Sequence, residues 1–109
     1  VRLLLKNGAD VNQTNVNGST PLWIACEKNR VDVAQLLLQN NANVNLANST
    51  GASPLFVACN KNHLAVASFL LENGAHVDQA TNDGSSPLYF ACQEDHLAVA
   101  RLLLENGAD

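Results

Sequence analysis

Three prolines, Pro21, Pro54 and Pro87, stand 33 residues apart, and nothing else in the sequence restricts the fold so far. Cys26, Cys59 and Cys92 keep the same spacing, as do Gly18, Gly51 and Gly84. Laying Thr50–His76 on Asp83–Asp109 gives 17 identities in 27 positions, too many for a chance echo within one globular core. The same shift superimposes Leu3-Leu4-Leu5, Leu36-Leu37-Leu38, Phe69-Leu70-Leu71 and Leu102-Leu103-Leu104. A period of this length is one supersecondary unit repeated, and such units bury their apolar faces against one another.

Each unit reads as two helices and an arm. Thr20-Pro21, Ser53-Pro54 and Ser86-Pro87 place a hydroxyl at an N-cap and proline at the first helical position. The hydroxyl satisfies an otherwise orphaned amide, and proline has no N–H to orphan there. A helix of about eight residues follows, with Leu22, Ala25 and Cys26 and their equivalents at core spacing. Asn29, Asn62 and Asp95 end it, being residues that tolerate a left-handed turn. A second helix runs from Val31, Leu64 and Leu97 through the apolar triplets to Asn73-Gly74 and Asn106-Gly107, with Asn41 in place of the glycine in the unit before. The polar stretch that remains, such as 42–51, suits an extended arm with a tight turn.

These residues resemble the ankyrin repeat family along the whole chain. Thr20-Pro21-Leu22-Trp23-Ile24-Ala25, Ser53-Pro54-Leu55-Phe56-Val57-Ala58 and Ser86-Pro87-Leu88-Tyr89-Phe90-Ala91 match its T-P-L-H-x-A signature. Val33-Ala34-Gln35-Leu36-Leu37-Leu38 and Asn73-Gly74-Ala75-His76-Val77-Asp78 match its second-helix and G-A-D-V-N segments. The signature histidine is replaced by Trp23, Phe56 and Tyr89, and the family's G-H pair becomes Asn29-Arg30, Asn62-His63 and Asp95-His96. The resemblance implies a mainly α fold, an ankyrin-repeat solenoid of stacked helix-turn-helix units joined by β-hairpin-like arms. In that register 1–16 is a partial repeat, 17–49 and 50–82 are full repeats, and 83–109 lacks its final arm. The chain opens on Val1-Arg2-Leu3-Leu4-Leu5 and neither end carries a polar capping unit, so an excerpt from a longer array is expected. Alone, it is expected to be marginally stable or to self-associate end to end.

Composition closes off several functions. Apolar residues make up 47% of the chain and charged ones 15%, which argues against disorder. Ten acidic against six basic residues give a net charge of −4. Arg2, Lys6, Lys28, Arg30, Lys61 and Arg101 are scattered rather than clustered, so no nucleic-acid partner is expected. No apolar run approaches the roughly 20 residues of a spanning helix, and no membrane partner is expected.

Nor do the reactive side chains gather. Equivalent cysteines in stacked repeats lie roughly 10 Å apart, beyond the ~7 Å limit for a disulfide and too far for one tetrahedral metal. They are expected to be small buried hydrophobes. Three free thiols point to a reducing compartment, hence an intracellular, cytoplasmic setting. No nucleophile stands with a histidine and an acid, and the glycines form neither a phosphate loop nor a dinucleotide fingerprint. No catalytic residue, cofactor or metal is expected, and the chain reads as a non-enzyme.

Trp23, Phe56 and Tyr89 are expected to pack between repeats. The alternative, a ligand-stacking ladder, requires them exposed. Ankyrin arrays bind partners by turn tips and the outward face of helix one, which line a concave groove. Carried over by position, the tips are Val16, Asn17 and Ser19, then Ser49, Thr50 and Ala52, then Asn82, Asp83 and Ser85. The helix-one positions are Glu27 and Lys28, Asn60 and Lys61, and Gln93 and Glu94, drifting from lysine-containing to acidic. The resemblance further implies an asparagine open to hydroxylation, for which Asn12 fits better than Asn45, while the next repeat carries Asp78 in place of the asparagine. The expected function is a non-enzymatic protein-protein interaction scaffold with a protein partner. The alternatives are a structural spacer in a longer array, or a targeting segment of a larger enzyme or channel.

Overall fold

A computed structural model of the chain describes residues 10–109. They form six helices in three pairs: α1 (Pro21–Glu27) and α2 (Val31–Gln39), α3 (Pro54–Asn60) and α4 (Leu64–Glu72), α5 (Pro87–Gln93) and α6 (Leu97–Glu105). The helix expected through Leu3-Leu4-Leu5 lies outside the described residues. Each first helix starts on its hydroxyl. Thr20 Oγ1 accepts from the Trp23 amide at 3.1 Å, Ser53 Oγ from Phe56 at 3.0 Å, and Ser86 Oγ from Tyr89 at 3.1 Å. Removing one such cap costs about 1 kcal/mol.

The helix ends are equally local. Asn29, Asn62 and Asp95 take φ of 57°, 61° and 60°. The next amides, of Arg30, His63 and His96, then donate back to the carbonyls of Ala25, Ala58 and Ala91, each at 2.8 Å. This six-residue closure satisfies carbonyls that a helix end otherwise orphans. The second helices close likewise, with Asn41 at φ 72° in the role that Gly74 and Gly107 play at 92° and 90°. Ala42, Ala75 and Ala108 donate to Leu37, Leu70 and Leu103 at 3.0 Å. The side-chain amides of Asn40, Asn73 and Asn106 cap the carbonyls four residues back, at 2.8 to 2.9 Å.

The pairs stack into an elongated body of 42 × 25 × 20 Å. α1 packs on α3 and α3 on α5, while α2, α4 and α6 form a parallel row behind them. The core is a ladder with one rung per repeat: Leu37, Leu70 and Leu103 from the second helices, and Ala25, Ala58 and Ala91 from the first. Val66 and Val99 add to it, as do Leu22 and Leu55, and each leucine fully removed from water contributes about 1.5–3 kcal/mol. α3, with a neighbour on both sides, is buried from Pro54 through Cys59, as a helix apolar all round must be. Cys26 and Cys59 lie inside this ladder, whereas Cys92 is exposed.

Two polar seams tie the repeats together. In the first, Asn12 Oδ1 accepts the Asn43 amide at 2.9 Å and Asn45 Oδ1 accepts the His76 amide at 2.8 Å. Asp78 continues this seam by accepting the Asp109 amide at 3.2 Å. In the second, the Ser49 amide and hydroxyl both donate to Asn17 O, at 3.1 and 2.9 Å, and the Asn82 amide donates to Thr50 O at 2.9 Å. The ring nitrogens of two histidines add a third tie: His63 Nε2 lies 3.0 Å from Glu27 O, and His96 Nδ1 lies 3.1 Å from Cys59 O.

The arms differ from hairpins. No strand occurs among the described residues. Each tip is instead a turn pinched by one backbone pair, Asn15 N to Ser19 O, Asn48 N to Ala52 O and Thr81 N to Ser85 O. Side chains fill the turn from within: Asn15 Oδ1 accepts the amides of Asn17 and Ser19, and Asn48 Oδ1 those of Thr50 and Ala52. Local bonding of this kind competes with a sheet ladder and here prevails over it.

Candidate functional site

Most of the residues expected at the tips and on the first helices reach the surface. Val16 is 97% exposed, and Asn17, Ser49, Thr50, Asn82 and Asp83 also stand in solvent. Ser85 is half-buried. Ser19 and Ala52 are not on the surface: at 4% and 6% exposure they turn inward beneath their tips, where their amides feed Asn15 and Asn48. Among the helix-one positions Lys28, Lys61, Gln93 and Glu94 are exposed, and Glu27 and Asn60 are half-buried.

The aromatic positions split. Trp23 is half-buried and its indole N–H donates to Ala52 O of the next repeat at 3.0 Å. Phe56 is buried at 8% exposure, and Tyr89 stands 60% exposed on the outer side of α5. The first two thus pack between repeats, as expected of the set, and the third does not.

Phe90, which sequence reasoning passed over, lies among the second and third tips. It occupies the variable position of the signature, where the other repeats carry Ile24 and Val57. That variation beside an unchanging Leu and Ala was the available signal. Phe90 meets Phe56 edge to face, with ring centroids 5.4 Å apart and planes at 77°. Together they line a furrow of about 490 Å³ between the second and third tips, whose rim includes Ser49, Thr50, Asn82 and Asp83. On that rim the Asp83 carboxylate accepts from the Thr81 hydroxyl and from the Ser85 amide. These bonds, that from Thr81 first, hold its carboxyl below the usual range, so it is an anion at neutral pH.

Charge is unevenly distributed along the stack. Residues 10–61 hold three acids and three bases, whereas residues 62–109 hold seven acids and Arg101 alone. Burial pushes the Cys26 and Cys59 thiols up to about 12, which leaves them protonated and unreactive. Among the described residues no group of three or more His, Cys, Asp or Glu side chains is placed to hold a metal ion. None of the described helices is long and apolar enough to cross a membrane.

No curated protein matches this chain. A family model of ankyrin repeats in three copies matches residues 1–81 and again residues 41–109, which together take in the full sequence. Members of that family are generally protein-protein interaction modules and typically lack enzymatic activity. With the signature segments on capped first helices and the helix pairs stacked at its 33-residue period, the chain belongs to the ankyrin repeat family.

Proposed function

We propose that the chain is a non-enzymatic scaffold that binds a protein partner through the concave face made by its turn tips and first helices. One observation carries this reading: successive tips are locked to each other by backbone bonds, Ser49 to Asn17 and Asn82 to Thr50, while their polar side chains stand in solvent. A surface ordered in advance loses little entropy when a partner settles on it. The free thiols support a cytoplasmic setting for that partner. Ser19 and Ala52 support the face from below and do not touch the partner.

The test is photo-crosslinking in cells, with a photoreactive side chain placed singly at Lys61 or Asn82 on this face and at Glu72 or Arg101 on the second helices. Protein adducts are expected from the first pair. Adducts from the second pair alone would overturn the reading. The polar seams favour a second reading, a spacer whose function is mechanical continuity between neighbouring repeats. A spacer predicts no specific adduct from any of the four positions.

A further inference from the structure

The junction of α1 with α3 and that of α3 with α5 share a backbone plan and differ in the side chains that meet there. At the first, the Trp23 indole reaches across to Ala52 O and Val57 is buried. At the second, Phe56 is the smaller ring at the equivalent place, and Phe90 stands half-buried where Val57 was hidden. The product is the 490 Å³ furrow, apolar at its floor and polar at its lip. A dry floor inside a wet rim is the anatomy of an interface hot spot, and aromatic floors carry a large part of the energy there. The edge-to-face contact with Phe56 fixes the Phe90 ring before any ligand arrives.

Charge selects the occupant. Asp83 stands on the lip, and no other residue that lines the furrow is charged. An acidic segment would meet repulsion there, and a cationic one attraction. Each tip is also bonded to its neighbour, so the furrow does not rely on a flexible loop closing over it.

We infer that this furrow seats an extended basic peptide segment, which sets an apolar side chain against Phe90 and a lysine or arginine beside Asp83. The inference rests on the protein-binding reading above and names the partner's chemistry: a cationic segment with an aliphatic or aromatic anchor a few residues from the charge.

A random dodecapeptide library displayed on phage, panned against the whole chain, supplies the probe, and the best binder is synthesised for anisotropy titration. Enriched sequences are expected to pair Lys or Arg with a large apolar residue, and the same peptide with Glu for each basic residue is expected not to bind. Asp83→Asn keeps the oxygen that caps Ser85 and removes the charge, and binding should weaken about two- to fivefold. Phe90→Val installs the residue that the chain already carries at Val57, and binding should weaken about tenfold or more. Circular dichroism of both variants confirms that the fold is kept. A binder without basic residues, or one indifferent to both substitutions, overturns the inference, as does a panning that yields no binder. A binder lost on Lys61→Glu but not on Asp83→Asn also overturns it. The crosslinking experiment decides the broader reading separately, since adducts from Lys61 or Asn82 do not depend on what the furrow holds.

Discussion

The junction between α1 and α3 and the junction between α3 and α5 repeat one backbone with two outcomes. Both carry the same N-cap bond, the same six-residue closure and the same tip-to-tip bond, at nearly equal distances. They part at two side chains. Trp23 bonds across the first junction above a buried Val57, while Phe56 and Phe90 line a furrow at the second. Stability in a repeat array resides in unit and interface terms, and here those terms are met by residues below the surface. The side chains above are thereby free to differ from repeat to repeat, which is how a family with one fold serves many partners.

Substitutions can test how far the two junctions are independent. The largest effect is expected from Leu55→Ala, which opens a cavity in the helix they share. A loss of about 2–5 kcal/mol in a urea titration would show both junctions failing together, whereas two separate transitions would show them uncoupled. Next comes Gly51→Ala. Gly51 takes φ 84° at the second junction's tip, and a Cβ there would stand 2.6 Å from the Asn82 backbone nitrogen. The left-handed strain and the clash together should remove about 2–4 kcal/mol. Gly84→Ala, with φ 88° but open space around it, should remove only about 1 kcal/mol. Equal losses would mean that the tip-to-tip contact contributes nothing.

Trp23→Phe should cost about 1–3 kcal/mol, since the bond to Ala52 O disappears and a buried carbonyl is left with one partner fewer. The same change should open a furrow at the first junction like that at the second. In the unchanged protein, the emission of Trp23 should resist acrylamide quenching, and free quenching in a folded sample would contradict its bond across the first junction.

Near neutral pH the smallest effect is that of the two thiols, which act on stability only in alkali. Cys26 and Cys59 sit under the first and second junctions, and burial raises each from 9.0 to about 12. Below pH 9 folded and unfolded chains both keep these protons, and the thiols do not make stability depend on pH. Between pH 9 and 12 the unfolded chain releases them first, so stability falls as pH rises. The urea midpoint should therefore hold level to pH 9 and then drop, with a shallower drop in Cys59→Ala. At pH 8 a thiol reagent should label Cys92 rapidly and the other two only on unfolding. Rapid labelling of Cys59 would show the second junction opening more readily than its hydrogen bonds suggest.

The local parts of the fold were legible in the sequence. Hydroxyl-proline pairs and left-handed asparagines act on their own few residues, and Thr20, Ser53, Asn29 and Asn41 behave as their chemistry requires. What could not be read depends on which side chains stacking brings face to face. The bonds of Asn12 to Asn43 and of Asn45 to His76 join residues 31 apart, and no short window holds both ends. Ser19 and Ala52 sit beside exposed residues in sequence, and only the inward path of the turn hides them. Phe90 reads as one more apolar residue in an apolar helix until Phe56 is seen beside it. The arms looked extended, but Asn15 and Asn48 bond their own turns first.

The two histidines at the helix turns, equivalent by repeat, face carbonyl oxygens through different ring nitrogens, Nε2 in His63 and Nδ1 in His96. A carbonyl can only accept, so the neutral rings must be opposite tautomers, each with its unprotonated nitrogen at the other corner. In their neutral forms, two residues that any alignment would place in one column would therefore be distinct chemical species. Nitrogen-15 spectra of the rings would separate them as cleanly as a substitution would.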